Sequence, residues 1–575
     1  MVNGDNQLLP ALKEADLHGE PLQLYIHRDS TVPDLPFELL YHFQFLVPSK
    51  IHVIRQVTEY GQKKKVEPKN RPLKVLFMAC SPLDVEPVLD FEKEEETILE
   101  VTKDLPVDID VEDTGSLQGL KECLLQKEYD VIHLTGHADI EGNTPYFCME
   151  NEEGFLEKIP PIKLQNVLQN AITRPRLVFL SGCKTGGAPE AAVSFAHELV
   201  VEHSPTVLGW GLPVTDRGAT LAATRVYREL SRGKSIVDAV FSAREVLYTD
   251  EILKENDILD WSLLRLFSDG TPLHVPVVEK GQEKTVKARD IQYAYLLNSQ
   301  VKVLKKGFVG RRRQIQRGIQ MLKNNEEKIG LLLHGTGGLG KSCLAGKFCD
   351  RFKDHALVIV NGELNAATFL EALEYGLARA EDEKGLQILQ AKEEVAKKII
   401  LLCSTSFREK KYLIVFDDFE ENLKGYEQGD PVLSDEAVPI LGMLLHALPL
   451  ACKSTQLIIT SRYTFDLEID GKDLVSERLE SIGLTSFRGA DERKKVADLE
   501  YINKYHDEKV RKDLIKAGRG NPRLMEVLNA LLQVKQGLDV SALLQKVEGK
   551  QEEFVQDLVL RKILHSQSEE FQNVM

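Results

Sequence analysis

The string Gly335-Thr-Gly-Gly-Leu-Gly-Lys341-Ser342 has the residue types and spacing of a loop that holds phosphate. It lies between the apolar run GLLLHG and the helix-prone SCLAGKFCDRF, the strand–loop–helix setting such a loop requires. Gly335, Gly337, Gly338 and Gly340 let backbone N–H groups converge on phosphate oxygens, and the start of a helix adds partial positive charge. Lys341 is placed to reach β- and γ-phosphates, and the Ser342 hydroxyl to complete a Mg²⁺ shell. Further on, the apolar run Leu413 to Phe416 delivers Asp417 and Asp418 to the end of a buried strand, a Walker B strand in which Asp417 can meet Mg²⁺ beside Ser342. LIITSR puts Arg462 at another strand end, suited to sensing a γ-phosphate. No guanine-reading NKxD string is visible, so ATP or ADP with Mg²⁺ is the expected cofactor set.

A second pair could do nucleophilic chemistry. YDVIHLT runs into Gly136-His137-Ala138, and RLVFLSG runs into Cys183, 46 residues after His137. In an open parallel sheet, reacting groups gather beyond the carboxyl ends of the strands. A thiol with a pKa of about 8.5 is little ionised at neutral pH, so an imidazole that takes its proton makes it a nucleophile. His137 would be that base, and the Cys183 N–H could join an oxyanion hole. The residues alone leave open an inert cysteine at a strand end. Asp216, after the TVLGW run, could line a specificity pocket or be a first-turn helix carboxylate. His133 is expected to be a packed strand residue, because four residues along a strand span about 13 Å, too far from His137 to share a metal.

These residues need elements to hold them. At roughly 100–200 residues per domain, 575 residues predict three or four folding units. From about 73 to 270, strand-length apolar runs alternate with amphipathic stretches such as GATLAATRVYREL, the rhythm of a mostly parallel sheet. The polar stretch TPLHVPVVEKGQEKTVKARD breaks it. KIGLLLHG, ALVIV, KYLIVFDD and TQLIITS then mark a second α/β unit, and the chain beyond about 485 reads as helical. The expected division is 1–275, a linker at 276–306, an ATPase core at 307–484, and a helical lid with the start of a further helical unit at 485–575. The net charge of −16 disfavours a generic nucleic-acid binder, and the basic run GQKKKVEPKNRP reads as a solvated connection. Eight cysteines without CxxC pairs are expected to be reduced, those other than Cys183 as small buried side chains. With neither a signal peptide nor a membrane-length apolar run, a soluble cytoplasmic protein is expected.

Two resemblances follow. FVGRRRQ (308–314), the phosphate loop, LIVFDD, LIITSR and GNPRL (520–524), in that order, resemble the STAND class of signalling ATPases, the NB-ARC and NACHT relatives. The resemblance implies that Pro522 contacts adenine, that Gly310-Arg311 lies near the base, and that exchange of ADP for ATP drives homo-oligomerisation with slow hydrolysis. The winged-helix unit and sensing repeats usual in that class are not seen, so a separate sensor subunit or ligand is an expected partner. LPFELL (35–40), VIHLTGHA, LVFLSGCKTG, LGWGLPVTDRGAT and DWSLLRLFSDG are similar to the CHAT-type caspase-like peptidases. This implies a caspase-like sheet domain with a His137/Cys183 dyad that cleaves a partner protein, as in a bacterial defence or regulated-death effector. Two departures stand out: Ala138 where relatives commonly have Gly, and Ser181 where some basic-specific relatives have Asp. A non-catalytic CHAT adaptor on a nucleotide-gated scaffold is the alternative.

Overall fold

The computed structural model describes residues 7–19, 21–27, 35–47, 50–57, 66–181, 191–201, 206–268, 272–283, 292–295, 302–324, 327–425 and 431–534. Cys183 lies outside the described residues. The chain divides into two units, Met1–Thr285 and Val286–Met575.

The first unit is built on an eight-stranded sheet. Its strands lie in the order Leu22–His27, Ile51–Gln56, Leu264–Ser268, Thr206–Trp210, Leu177–Ser181, Val131–Thr135, Leu73–Ala79 and Val107–Glu112. Neighbours are parallel except where Thr206–Trp210 meets Leu264–Ser268. The central strands Val131–Thr135, Leu177–Ser181 and Thr206–Trp210 are buried along their whole length because both faces are covered, whereas the edge strand Leu22–His27 exposes Gln23 and Tyr25. Helices Asp216–Ser231 and Ile236–Thr249 bury Ala222, Val226, Tyr227 and Val240 with Phe77 and Phe179 on one side. On the other, Leu120, Leu164, Phe195 and Leu199 pack with Ile132, Leu134 and Val178. Side-chain caps fix where the helices start: Ser116 accepts from the Gly119 N–H and Thr215 from the Gly218 N–H. A small antiparallel sheet, Ala138–Glu141, Thr144–Glu150 and Leu156–Ile159, fills the connection after Val131–Thr135.

The second unit has five parallel strands in the order Ala356–Asn361, Tyr412–Asp417, Gln456–Ser461, Gly330–His334 and Leu479–Gly483. The last is absent from the sequence reading. LESIG carries only two apolar side chains and forms an edge, where one neighbour suffices. Helices Gly489–Ala497, Glu500–Asn503, Glu508–Gly518 and Pro522–Val534 follow, and the last three close their own core of Leu499, Ile502, Leu514, Leu524 and Leu528. The mostly parallel sheets and the helical lid are thus as expected. Among the described residues, no helix is long and apolar enough to cross a membrane.

Candidate functional site

The phosphate loop joins the strand Gly330–His334 to the helix Lys341–Arg351. Gly335, Gly338 and Gly340 have φ of 145°, 79° and 90°, values that side chains with a Cβ rarely adopt. Lys341 is buried and folds back on the loop, its Nζ donating to the carbonyls of Gly335 at 2.9 Å and Thr336 at 3.2 Å. Burial pushes its pKa down, against the attraction of Glu420.

Asp417 ends the neighbouring buried strand and accepts from Thr460 Oγ1 at 2.5 Å and from the Ser342 hydroxyl. Burial pushes its carboxyl up to about 6, although both hydrogen bonds pull it down. A carboxylate left this dry, touching the serine hydroxyl of a phosphate loop, is a fitting ligand for a divalent cation. Asp418 is exposed and turns the chain at φ 51°. The same strand that supplies Thr460 ends at Ser461, so Arg462 reaches the loop. A Cβ on Gly337 would stand 3.4 Å from the Arg462 guanidinium carbon. Arg462 Nε donates to Glu420 Oε1 at 2.9 Å, and its backbone N–H to Glu420 Oε2 at 3.2 Å.

Pro522 is the first residue of the lid helix Pro522–Val534, and the flanking residues hold that end on the loop. Asn521 Nδ2 donates to the Gly337 carbonyl at 2.8 Å, and the Arg523 N–H to the Gly338 carbonyl at 3.3 Å. Arg311 lies buried, 4.6 Å above the Phe487 ring, donating to the Leu339 carbonyl at 3.2 Å. Burial pushes its pKa down to about 10. The sequence reading did not single out Glu420, Thr460 or Asn521. Thr460 lies inside LIITSR and Asn521 inside GNPRL, and Glu420 follows Asp418 by two residues, so the motifs already bracket all three.

In the first unit, the strands that precede His137 and Cys183 are neighbours, with Leu134 opposite Leu180 and Thr135 opposite Ser181. Thr135 Oγ1 donates to the Ser181 carbonyl at 2.9 Å, and the Gly136 N–H to the same carbonyl at 3.4 Å. Gly136 has no room for a side chain, since a Cβ would come within 2.9 Å of Phe147. His137 is buried, with Nε2 2.8 Å from the Pro87 carbonyl oxygen. A carbonyl only accepts, so in the neutral ring Nε2 carries the proton and Nδ1 is the basic nitrogen. Ala138 opens the strand Ala138–Glu141 without a positive φ, so the alanine is accommodated without strain. Asp216 stands exposed in the first turn of its helix, behind the Thr215 cap.

His133 is the packed strand residue expected. Its Nδ1 is 2.6 Å from the Tyr227 hydroxyl, the ring stacks on Phe179, and burial pushes its pKa down to about 3. Of the other cysteines, Cys80, Cys148, Cys349 and Cys403 are buried as expected, whereas Cys123, Cys343 and Cys452 are only partly so.

No curated protein matches the chain by sequence. Among solved structures, similar ones include a STAND protein with a tetratricopeptide repeat sensor from Pyrococcus horikoshii, at 19% identity, 46% of this chain, 33% of that chain and TM-score 0.29. Cdc6p from Pyrobaculum aerophilum is similar at 14% identity, 42% of this chain, 63% of that chain and TM-score 0.28. Domain III of the Thermotoga maritima replication initiation protein DnaA is similar at 14% identity, 43% of this chain, 89% of that chain and TM-score 0.24. The chain thus spans a third of the first and less than two thirds of the second. Residues 5–269 match the family model of the CHAT domain.

Proposed function

We propose that the chain is a nucleotide-regulated cysteine endopeptidase, with His137 and Cys183 as its dyad and the phosphate-loop unit as its switch. The observation that carries the reading is the pairing of Thr135 with Ser181, because His137 and Cys183 each follow by two residues along the chain. In the proposed reaction, His137 Nδ1 takes the Cys183 thiol proton and the sulfur adds to the scissile carbonyl. The intermediate collapses with loss of the amine, which takes the proton from Nδ1. Water then releases the acyl group as a carboxylic acid and restores the thiol. The Pro87 carbonyl holds the imidazole in the tautomer this requires.

In the second unit, Ser342 and Asp417 would hold Mg²⁺, and the loop glycines and Lys341 the phosphates of ATP or ADP. Bound Mg²⁺ would neutralise phosphate charge. Arg462 and Pro522 would contact the γ-phosphate and adenine. Exchange of ADP for ATP would then drive assembly and peptidase activity, with a protein substrate and a sensor subunit or ligand as partners. Bacterial defence or regulated death is the setting this combination suits, and the division at 275, 306 and 484 belongs to the same proposal.

The test is cleavage of co-expressed native-cell proteins by the full chain and by Cys183→Ala. Cleavage products expected with the wild type should be missing with the variant; equal products would remove the dyad. A non-catalytic adaptor is the second reading. It is favoured by the burial of His137, which is only 2% exposed. An adaptor would show no faster labelling of Cys183 than of other thiols by a peptide electrophile.

A further inference from the structure

The ion pair between Glu420 and Arg462 lies where a terminal phosphate would compete for it. Glu420 follows the Asp417-Asp418 pair and holds Arg462 by two hydrogen bonds, one from the side chain and one from the backbone. The guanidinium borders Gly337 in the middle of the phosphate loop. Glu420 is also the strongest charge acting on Lys341, ahead of Asp417 and Asp418. Arg462 is thus already matched by a carboxylate that is itself mostly buried, Glu420 being 14% exposed and Arg462 43%.

From this geometry we infer that Glu420 is a specificity-determining residue that sets the preference of the loop for a nucleoside diphosphate over a triphosphate. The inference rests on the proposed nucleotide binding. A diphosphate fills the loop and leaves the Glu420–Arg462 pair intact. A third phosphate gains the Nε–H and backbone N–H of Arg462 only by displacing their carboxylate partner, so part of its binding free energy goes into breaking the pair. The pair thereby holds the diphosphate form as the resting state. The backbone bond from Arg462 to the same carboxylate couples the exchange to the end of the Gln456–Ser461 strand, and so to the segment that presents the arginine.

The test measures binding of fluorescent ADP and of a non-hydrolysable ATP analogue, both with Mg²⁺, to the full-length wild type, Glu420→Gln, Glu420→Asp, Arg462→Gln and the Glu420→Gln/Arg462→Gln double variant. Circular dichroism melts on each variant exclude unfolded protein. Glu420→Gln should tighten the ATP analogue relative to ADP by roughly fivefold or more. Glu420→Asp should lie between Glu420→Gln and the wild type. In the Arg462→Gln background, the Glu420→Gln change should have little effect on the ratio, as a double-mutant cycle of one pair requires. An unchanged ratio in Glu420→Gln, or an equal shift with and without Arg462, overturns the inference while leaving nucleotide binding standing. A wild type that binds neither nucleotide overturns the proposed nucleotide switch itself.

Discussion

Asn521 donates from Nδ2 to the Gly337 carbonyl at 2.8 Å, so the first turn of the lid helix is tied by a side chain to the middle of the phosphate loop. Asn521 is fully buried, and its Oδ1 accepts from the Leu524 N–H, which makes it at once a helix cap and a clasp. Asn521→Ala leaves the Gly337 carbonyl without this donor, a change worth about 1–1.5 kcal/mol. We expect bound fluorescent ADP to leave about tenfold faster, by stopped flow, with the ring of Phe487 and Arg311 undisturbed. An unchanged dissociation rate would show that the lid does not retain nucleotide.

In the proposed nucleotide site Lys341 and Ser342 would serve separate parts, and they should fail separately. Lys341→Ala should weaken ADP binding on the order of a hundredfold with or without Mg²⁺, because a buried cation is lost. Ser342→Ala should bind ADP in EDTA as the wild type does and lose only the increment that Mg²⁺ adds. Titration calorimetry in both buffers separates the two. A Mg²⁺-independent defect in Ser342→Ala would contradict its assignment as a cation ligand.

Glu38 is fully buried and takes both Arg55 nitrogens, at 2.5 and 2.8 Å, with Arg244 at 3.5 Å. Burial pushes its carboxyl up, but Arg55, Arg244 and Arg265 together bring it below the usual range. The stabilisation is therefore complete above the unfolded value of about 4.3 and is lost as pH falls through the lower folded value. Glu38→Gln should destabilise the first unit by about 3–5 kcal/mol at pH 7, by leaving buried guanidinium charge unmatched. Its thermal midpoint should also respond less to acid than that of the wild type, which differential scanning calorimetry would record.

His133 also costs stability in acid, but through burial rather than an ion pair. Its folded pKa is pushed down to about 3 by burial, so below the unfolded value of about 6.5 the unfolded chain binds a proton that the native chain does not. Stability should fall by about 1.4 kcal/mol per pH unit between those limits. His133→Phe keeps the stacking on Phe179 and removes this slope, at the cost of the Tyr227 hydrogen bond at neutral pH. Equal pH slopes for both proteins from 4 to 6.5 would refute the assignment of His133 as a neutral core residue.

Much of the architecture was legible because the signals were local. Parallel strands buried on both faces must be continuous apolar runs, and VIHLT, LVFLS, LLLH and LIVFD are such runs. The phosphate loop was legible for the same reason, since six adjacent positions between a strand and a helix constrain each other along the chain. The strand Leu479–Gly483 was not, because an edge strand of mixed residues draws its stability from the neighbour it pairs with rather than from its own pattern. Nor could the sequence say that Glu420 occupies Arg462, that Asn521 reaches back 184 residues to Gly337, or that the Pro87 carbonyl selects the tautomer of His137. Residue types and spacing name the chemistries on offer, an imidazole, a thiol and a phosphate loop. Tertiary structure decided which partners those groups keep, because hydrogen bonds and ion pairs between distant residues depend on distance in space and leave no period along the chain.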